Sequence, residues 1–356
     1  MPSALERPIT EKERGKIVAL SRTGSGPARL AQTLSSGDKI DELVGSVGVE
    51  WRAMLSDLRR NGTRAIVPSD DEYPRLLKSI TAPPPLLYAK GDALDDSRPC
   101  VAIVGARACT IGAARFARRL GSAVAAAGFT VVSGLARGID VAAHKGELEF
   151  GPTVAVLGTG LDICYPREHR AIAEQIVYQG TLITEFPPGL GPRAWHFPAR
   201  NRIIAGMSVA LIAVEAGMGS GALITVGFAL DEGRDVYACT TGPDNPAGSG
   251  IRAMLLDGAQ LIVDEEQAVE MLADAAGVSY PDFVPTTWLD PTEVLEGEQL
   301  QVYEAITEGT TPDQIASLLD IPSRKVSAVL AELELLGHVE SSGSGWHRAE
   351  RKVDAV

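Results

Sequence analysis

Residues 101–140 read VAIVGARACTIGAARFARRLGSAVAAAGFTVVSGLARGID, and this stretch decides the fold. It contains two short apolar runs, VAIVG (101–105) and FTVVSG (129–134), separated by the helix-like segment Ala113–Ala127. A strand, a helix and a second strand in this order predict two parallel strands joined by a right-handed crossover. Because the runs are continuously apolar rather than alternating, we expect helices to cover both faces of the sheet.

The same alternation continues toward the C-terminus. Four more apolar runs follow: TVAVLG (153–158), TLITEF (181–186), VALIAVEAG (209–217) and DVYACT (235–240). Helix-like segments such as Ala222–Asp231 lie between them. We therefore predict an α/β fold over residues 91–265, an extended Rossmann-like, doubly wound domain with a mostly parallel sheet.

Smaller domains are predicted on both sides. Residues 1–90 are interpreted as a small helical domain, SAM-like or helix-hairpin-helix-like, followed by an extended proline-rich connector over 81–92. Residues 266–296 are acidic and contain several prolines, as in a linker. Residues 297–350 have the pattern of three helices and a hairpin, which predicts a winged helix, with Thr311 as an N-cap before Pro312.

The net charge of −13 is unevenly distributed. Residues 266–356 carry −12 of it, so the central domain is close to neutral. Of the 14 basic residues between 98 and 265, 13 are arginine, which is well suited to bidentate phosphate binding and to stacking. A local basic groove is therefore compatible with the acidic composition.

Composition also limits the cellular setting. The four cysteines form no CxxC pair, which argues against a zinc site and a disulfide framework. The charged N-terminus has no apolar segment of the signal-peptide type, and the longest apolar run, Ser208–Val214, is too short to span a bilayer. We expect a cytoplasmic protein without a membrane partner.

Glycine-rich turns follow four of the predicted strands, at 105–112, 133–138, 158–160 and 217–221. Parallel strands bring these turns to one edge of the sheet, where glycine lets the backbone approach a ligand and helix N-termini attract anions. No turn has a P-loop lysine, and the first is not GxGxxG. We favour a phosphate or other anion site over turns that only close the fold. Its candidate residues are Gly105, Arg107, Gly112, Ser133, Gly134, Arg137, Gly138, Gly219, Ser220 and Gly221.

A second candidate segment is HFPARNRII (196–204). It places Arg200 and Arg202 around Asn201, after the aromatic residue Phe197. Arginines near an aromatic ring are typical of single-stranded nucleic-acid sites, where bases stack and phosphates are paired. A core position for Phe197 is the equally good structural alternative.

Six motifs, in order, resemble the DprA/Smf family of DNA-processing proteins. They are YPRLLKSITAPPPLLYAKGD (73–92), VAIVGARACTIG (101–112), SGLARGIDVAAH (133–144), TVAVLGTGLDICYP (153–166), FPARNRIIAGMS (197–208) and SGALIT (220–225). The resemblance covers about residues 70–264. It implies a homodimeric protein that binds and protects single-stranded DNA and loads the RecA recombinase in transformation and recombination, without a catalytic centre, cofactor or metal.

The resemblance also implies which residues grip the strand. Their positions in this chain are Arg107, Arg137, Arg167, Phe197, Arg200 and Arg202. The chain departs from the family pattern at His169, at Thr240-Thr241 and at Arg252. These departures lie at the expected rim of the crevice, so they bear on strand geometry or affinity.

Two other functions stay open at this point. The fold also resembles lysine decarboxylase-like proteins that cleave nucleotide N-glycosidic bonds, but Ala222, Leu223 and Ile224 stand where those enzymes carry a glutamate after the glycines. A winged helix also suits a duplex-DNA regulator, although its net charge of −5 over residues 297–356 opposes duplex binding. We favour single-strand binding over both.

Overall fold

The computed structural model of the protein describes residues 7–22, 26–35, 51–239, 246–278, 295, 297–307, 309–335, 338–342 and 345–348. The chain divides into two units, Met1–Pro281 and Asp282–Val356. The first unit carries the large sheet, and the second carries a two-stranded sheet. Within the described ranges, no helix combines the length and apolar composition that a bilayer span requires.

One large sheet organises the first unit. Its described strands are β1 (Thr63–Ile66), β2 (Leu87–Gly91), β3 (Cys100–Val104), β4 (Thr130–Ser133), β5 (Val154–Val156), β6 (Thr181–Thr184), β7 (Ala210–Ala213), β8 (Asp235–Cys239) and β9 (Gln260–Ile262). Their order is β1-β2-β6-β5-β4-β3-β7-β8-β9. The seven neighbouring strands β6-β5-β4-β3-β7-β8-β9 are parallel. Because the chain proceeds outward from β3 on both sides, the predicted doubly wound fold is confirmed.

Helices pack on both faces of this sheet. They include α1 (Glu11–Ser21), α2 (Gly26–Ser35), α3 (Trp51–Arg60), α4 (Arg75–Lys78), α5 (Ile111–Ala126), α6 (Ile139–Glu147), α7 (Arg170–Gln179), α8 (His196–Met207), α9 (Gly221–Asp231), α10 (Ser249–Leu256) and α11 (Glu265–Ala276). In β3, Val101 and Ile103 pack with α5, α6 and α11, whereas Ala102 and Val104 pack with α8, α9 and α10. Both faces of β3 are therefore buried, which explains its continuously apolar sequence.

The N-terminal region differs from the helical domain predicted over residues 1–90. Helices α1 to α3 do form, and they share an apolar core with Tyr88 and Leu86. However, β1 and β2 also lie in this region, and β2 pairs antiparallel with both β1 and β6. The proline-rich stretch predicted as a connector thus supplies β2, an inner strand that lies between the edge strand β1 and β6.

The predicted acidic linker also begins inside an ordered element. Helix α11 extends to Ala276, and the Asp264 carboxylate caps it by accepting from the Gln267 N–H at 2.8 Å. Its apolar face, including Val269 and Leu272, is buried against the sheet. An acidic composition does not exclude such a helix, since its charges lie on the opposite face. Residues 279–294 and 296 lie outside the described part.

The second unit has the predicted order of elements. It contains α12 (Gly297–Glu304), α13 (Pro312–Leu319), α14 (Ser323–Leu335) and a hairpin of β10 (Val339–Ser342) and β11 (Gly345–Arg348). Thr311 caps α13 in a reciprocal capping box with Gln314, and Pro312 follows directly. The winged-helix prediction is confirmed; Gly337 and residues 349–350 lie outside the described part.

A buried carboxyl group at the end of α6 makes stability depend on pH. Burial raises the pKa of Glu147 well above its ordinary value, and the Val131 backbone and Arg98 only partly offset this shift. The folded protein therefore retains a proton that the unfolded chain releases once the pH exceeds the ordinary glutamate pKa of about 4.5. Stability is lost as the pH rises from there through the raised pKa.

We therefore expect Glu147→Gln, which cannot ionise, to be more stable than the wild type at about pH 8 and to approach it at about pH 5. Urea denaturation across this range measures the free energy of unfolding. Glu149→Gln is the control, because Glu149 pairs with Arg118 at the surface at 2.6 Å. Parallel pH profiles for the wild type and Glu147→Gln would contradict the expectation.

Candidate nucleic-acid interface

A crevice of about 840 Å³ opens at the carboxyl ends of β3 and β7, where the strand order reverses. The turn after β3, the N-terminal part of α8 and the turn that opens α9 line it. Open α/β sheets bind their ligands at such a reversal, because two neighbouring turns diverge there. Of the four glycine turns, those after β3 and β7 therefore contribute most directly.

The turn after β3 presents Arg107 from a fixed backbone. The N–H of Ala106 donates to the carbonyl of Glu215 at 2.5 Å. The Glu215 carboxylate accepts from the N–H and the hydroxyl of Thr110 at 3.0 and 2.8 Å. Gly105 is needed for close packing, since a Cβ there would lie 2.4 Å from the Cγ1 of Ile139. The turn is thus held at both ends while Arg107 is exposed at the crevice.

Two aromatic rings stand beside Arg107 in the crevice. The Phe197 ring centroid lies 5.3 Å from the guanidinium carbon of Arg107, within cation–π range. The Tyr165 ring lies 5.4 Å from that of Phe197, at an interplanar angle of 38°. We call Tyr165 and Phe197 the aromatic platform. A cation beside a ring surface suits a ligand that carries both phosphates and flat bases.

The start of α9 forms the opposite wall. Ser220 caps this helix by accepting from the N–H of Ala222 at 3.3 Å. Gly219 and Gly221 also line the crevice, and a Cβ at either position would meet no atom within 4 Å. Packing therefore does not demand glycine here. The missing side chains leave the backbone at the positive end of the helix open to an anion.

Arg200 is buried in the floor of the crevice, with only 3% of the residue exposed. Its guanidinium donates to the carbonyl of Gly134 at 2.8 Å and to the carbonyl of Val156. Burial lowers the pKa of Arg200 to about 10, so the group stays charged at neutral pH. Arg200 therefore joins the turn after β4 to β5 and positions the floor.

Asn201 connects this floor to the wall opposite. Its side-chain oxygen accepts from the Nε of Arg200 at 3.2 Å, and its amide donates to the carbonyl of Gly221 at 3.3 Å. Gly134 has to be small, because a Cβ there would lie 2.3 Å from a guanidinium nitrogen of Arg200. Gly134 and Asn201, which were both predicted as binding residues, thus support the crevice through Arg200, and Asn201 also lines it.

The turn after β4 supports the crevice mainly from below. The Ser133 hydroxyl donates to the carbonyl of Ile103 at 2.6 Å, which ties β4 to β3. Gly138 has φ +76°, and a Cβ there would lie 2.2 Å from the carbonyl oxygen of Ala106. The buried Asp140 accepts from the N–H groups of Gly134 and Ala136 at 3.1 and 3.3 Å. These residues fix the turns against each other.

His169 replaces the asparagine expected from the family pattern. Its Nδ1 donates to the carbonyl of Leu135 at 2.9 Å. Leu135 has φ +54°, a left-handed conformation that leucine rarely adopts. The imidazole therefore holds an unusual turn by a hydrogen bond that an amide can also make. Arg252 lies half-buried in α10, and Thr240-Thr241 fall outside the described residues.

Besides Ser133, Gly134 and Gly138, which support the crevice from below, four further predicted binding residues lie outside its lining. Gly112 is exposed in the first turn of α5, and Arg167 is exposed in a short 3-10 helix. Arg137 pairs with Glu168 at 2.5 Å, with 63% of the arginine side chain exposed. Arg202 faces a separate cavity on the other side of α8, where it pairs with Glu185 at 2.6 Å. The structure therefore does not bring these four residues together with Arg107.

Tyr165 and Arg193 line the crevice but were not predicted as site residues. Tyr165 stands in the motif TVAVLGTGLDICYP (153–166), two residues before Arg167. An aromatic residue directly before a proline, in the segment that follows β5, was the available signal. Arg193 gave no signal of its own, because its position depends on the path of the chain into α8.

Two titratable side chains near the strand ends, His144 and Asp162, are engaged in structural hydrogen bonds. The His144 Nδ1 lies 2.7 Å from the Thr153 hydroxyl, which itself donates to the carbonyl of Val131. Burial lowers the pKa of His144 to about 3, so the ring is neutral. The Asp162 carboxylate accepts from the N–H of Gly189 at 2.9 Å. His144 therefore hydrogen-bonds Thr153, and Asp140 hydrogen-bonds the turn after β4.

Comparison with known proteins now places the chain in a family. Residues 64–273 match the model of DNA recombination-mediator protein A, and residues 289–345 match the DprA winged helix domain. The chain belongs to the DprA family. It is 37% identical over 348 residues to the protein Smf of Synechocystis, covering 88% of this chain and 87% of that relative. It is 35% identical over 360 residues to a putative DNA processing protein DprA of Mycobacterium tuberculosis, covering 95% and 91%.

Solved DprA structures share the fold. The DprA structure from Streptococcus pneumoniae matches with a TM-score of 0.61 and 32% identity, over 75% of this chain and 95% of that one. DNA processing protein A from Helicobacter pylori matches with a TM-score of 0.55 and 24% identity, over 60% and 96%. The resemblance seen in the six sequence motifs is therefore confirmed at the level of family and fold.

Proposed function

We propose that this protein binds single-stranded DNA in the crevice between β3 and β7. The observation that carries the proposal is the juxtaposition of exposed Arg107, the aromatic platform and the glycine-lined start of α9. Arginine and backbone N–H groups bind phosphates of any sequence, while rings stack on any base. Such a surface binds unpaired strands, because the bases of a duplex are already stacked on each other.

The comparisons support the same ligand class. The Helicobacter pylori relative is described by its single-stranded DNA binding mode, and other relatives are DNA processing proteins. The enzyme alternative has less support, because the described carboxylates nearest the crevice, Asp140 and Glu215, accept hydrogen bonds from the turns. The duplex-regulator alternative is not favoured by the acidic winged helix, in which Lys325 pairs with Glu298.

Fluorescence anisotropy with a labelled oligonucleotide tests the proposal. We expect binding to single-stranded DNA at low salt that weakens as salt rises, with weaker binding to a hairpin duplex. Equal or preferential binding to the duplex would favour the regulator alternative. Release of free base from nucleoside monophosphates would favour the enzyme alternative. No binding to any single-stranded oligonucleotide at low salt would refute the proposal.

We further propose that the protein acts in the cytoplasm as a homodimer that protects incoming DNA and loads RecA. Family membership supports these partners. Light scattering at micromolar concentration tests the dimer, and a monomeric mass would contradict it. RecA filament formation on DNA coated with single-strand-binding protein tests loading.

Because Glu168 pairs with Arg137, we expect removal of the Glu168 charge to increase the affinity for single-stranded DNA. The Glu168 carboxylate occupies the guanidinium that a phosphate would otherwise bind. Because both groups are largely exposed, their pairing contributes little to stability. We expect Glu168→Gln to leave the melting temperature unchanged and to tighten DNA binding by roughly two- to fivefold at low salt, because an exposed ion pair competes only weakly with a phosphate for the guanidinium.

The matched control is Glu174→Gln. Glu174 pairs with Arg170 on α7 at 3.1 Å, and that pair is also exposed. Glu174→Gln removes the same charge as Glu168→Gln, but it does not free a predicted DNA-binding arginine. Equal affinities for Glu168→Gln and Glu174→Gln would show that Arg137 does not bind the strand.

A further inference from the structure

We infer that the bound strand continues beyond the crevice, across the start of α8, and that Trp195 stacks on one of its bases at a second binding position. The inference rests on the proposed single-strand binding and extends its site. Trp195 and Phe197 are two residues apart at the beginning of α8, so the helical geometry directs them to opposite sides. Phe197 lines the crevice, whereas Trp195 lines the cavity on the other side.

Trp195 is held in place although it is exposed. The residue is 52% exposed, an unusual state for the largest apolar side chain. Its ring lies 4.2 Å from the His196 ring and 6.1 Å from the Phe186 ring, edge-on to both. His196 is itself fixed, because its Nδ1 donates to the carbonyl of Gly158 at 2.9 Å. The indole is therefore preorganised while half of the residue remains accessible.

The second cavity, about 400 Å³ in volume, suits a flat ligand better than a phosphate. Besides Trp195, its lining includes Phe186, Pro83 and Pro85. Arg202 also lines it, but both guanidinium nitrogens that reach Glu185 are hydrogen-bonded, at 3.0 and 2.6 Å. The charge of Arg202 is thus neutralised by Glu185, and what remains is a planar surface against which a base can pack.

The two cavities are joined by a short segment that favours a phosphate. Pro192, Arg193 and Ala194 line the crevice and lead directly into Trp195. Arg193 is exposed there. A strand that passes from the aromatic platform to Trp195 crosses the positive N-terminal end of α8, next to this arginine. The path therefore alternates ring, cation and ring, as binding tracks for unpaired strands do.

A pair of oligonucleotides of different length tests the inference. An oligo-dT of about two to three nucleotides is short enough to occupy the crevice without reaching Trp195, whereas one of about 20 nucleotides reaches both positions. We expect Trp195→Ala to weaken the long oligonucleotide roughly five- to hundredfold, the range for loss of one stacked base, and to change the short one less than about twofold. Trp195→Phe should recover most of the lost affinity, since a ring remains.

The control is Tyr178→Ala, which removes a ring that is 85% exposed on α7. If Trp195→Ala binds the long oligonucleotide as tightly as the wild type does, the inference is overturned and the proposed function stays intact. Equal loss for both lengths in Trp195→Ala would also overturn it, because Trp195 would then act by supporting the crevice. Absence of wild-type binding to either length would instead refute the proposed function itself.

Discussion

Arg107→Glu is expected to weaken single-stranded DNA binding by roughly 30- to 150-fold at low salt. The arginine is the exposed cation of the crevice wall after β3, and it also lies over Phe197. A hydrogen bond to a charged phosphate contributes about 2–3 kcal/mol, and the introduced carboxylate adds repulsion. The dependence of log affinity on log salt should also become shallower by at least about 0.7, the share of one phosphate contact on a single strand.

Anisotropy titrations over a range of salt concentrations measure both quantities. Arg60→Glu is the control, because it makes the same charge change at a side chain that is 75% exposed on α3. Both variants should melt at the wild-type temperature, since exposed ion pairs and cation–π pairs contribute little to folding. If Arg107→Glu and Arg60→Glu bind equally well, the strand does not use the turn after β3.

The fold was largely predictable because buried parallel strands leave a strong signal. The six apolar runs contain the strands from β3 to β8, and continuous apolar sequence indicated two covered faces. Strands β1 and β2 were missed because β1 pairs with β2, and β2 joins the rest of the sheet only through β6, which lies about a hundred residues away in the chain. A short apolar segment after prolines has an extended conformation, but it becomes a strand only when a pairing partner is available in the folded sheet.

The site was predictable at its glycine turns and less so at its arginines. The sequence placed Arg200 and Arg202 in one candidate segment, HFPARNRII, without assigning its conformation, and this segment forms α8. In a helix, residues 200 and 202 are about 200° apart, so both cannot face one crevice. Arg200 therefore enters the floor, and Arg202 faces the second cavity. Pairing of Arg137 with Glu168 likewise depends on tertiary structure, which a motif does not encode.

Substitution of Arg200 should lower the stability of the protein, whereas substitution of Arg107 should lower only its affinity for DNA. Yet both residues line the crevice and both match the family motifs. Arg200→Leu removes the donors for the carbonyls of Gly134 and Val156 and for the side chain of Asn201. Each buried acceptor left unsatisfied costs about 1–3 kcal/mol. We expect a loss of about 3–5 kcal/mol in the free energy of unfolding and a fall in melting temperature of roughly 6–20 °C.

DNA binding should then be lost as a consequence of the disturbed floor, because Asn201 no longer holds the start of α9 through Gly221. Arg200→Lys separates charge from geometry, since a single ammonium retains the charge but not the planar fork that reaches both carbonyls. We expect it to be intermediate in stability, by thermal unfolding followed with circular dichroism. If Arg200→Leu instead melts like the wild type and loses only DNA binding, Arg200 contacts the strand directly. Its burial would then reflect a crevice that opens when DNA enters.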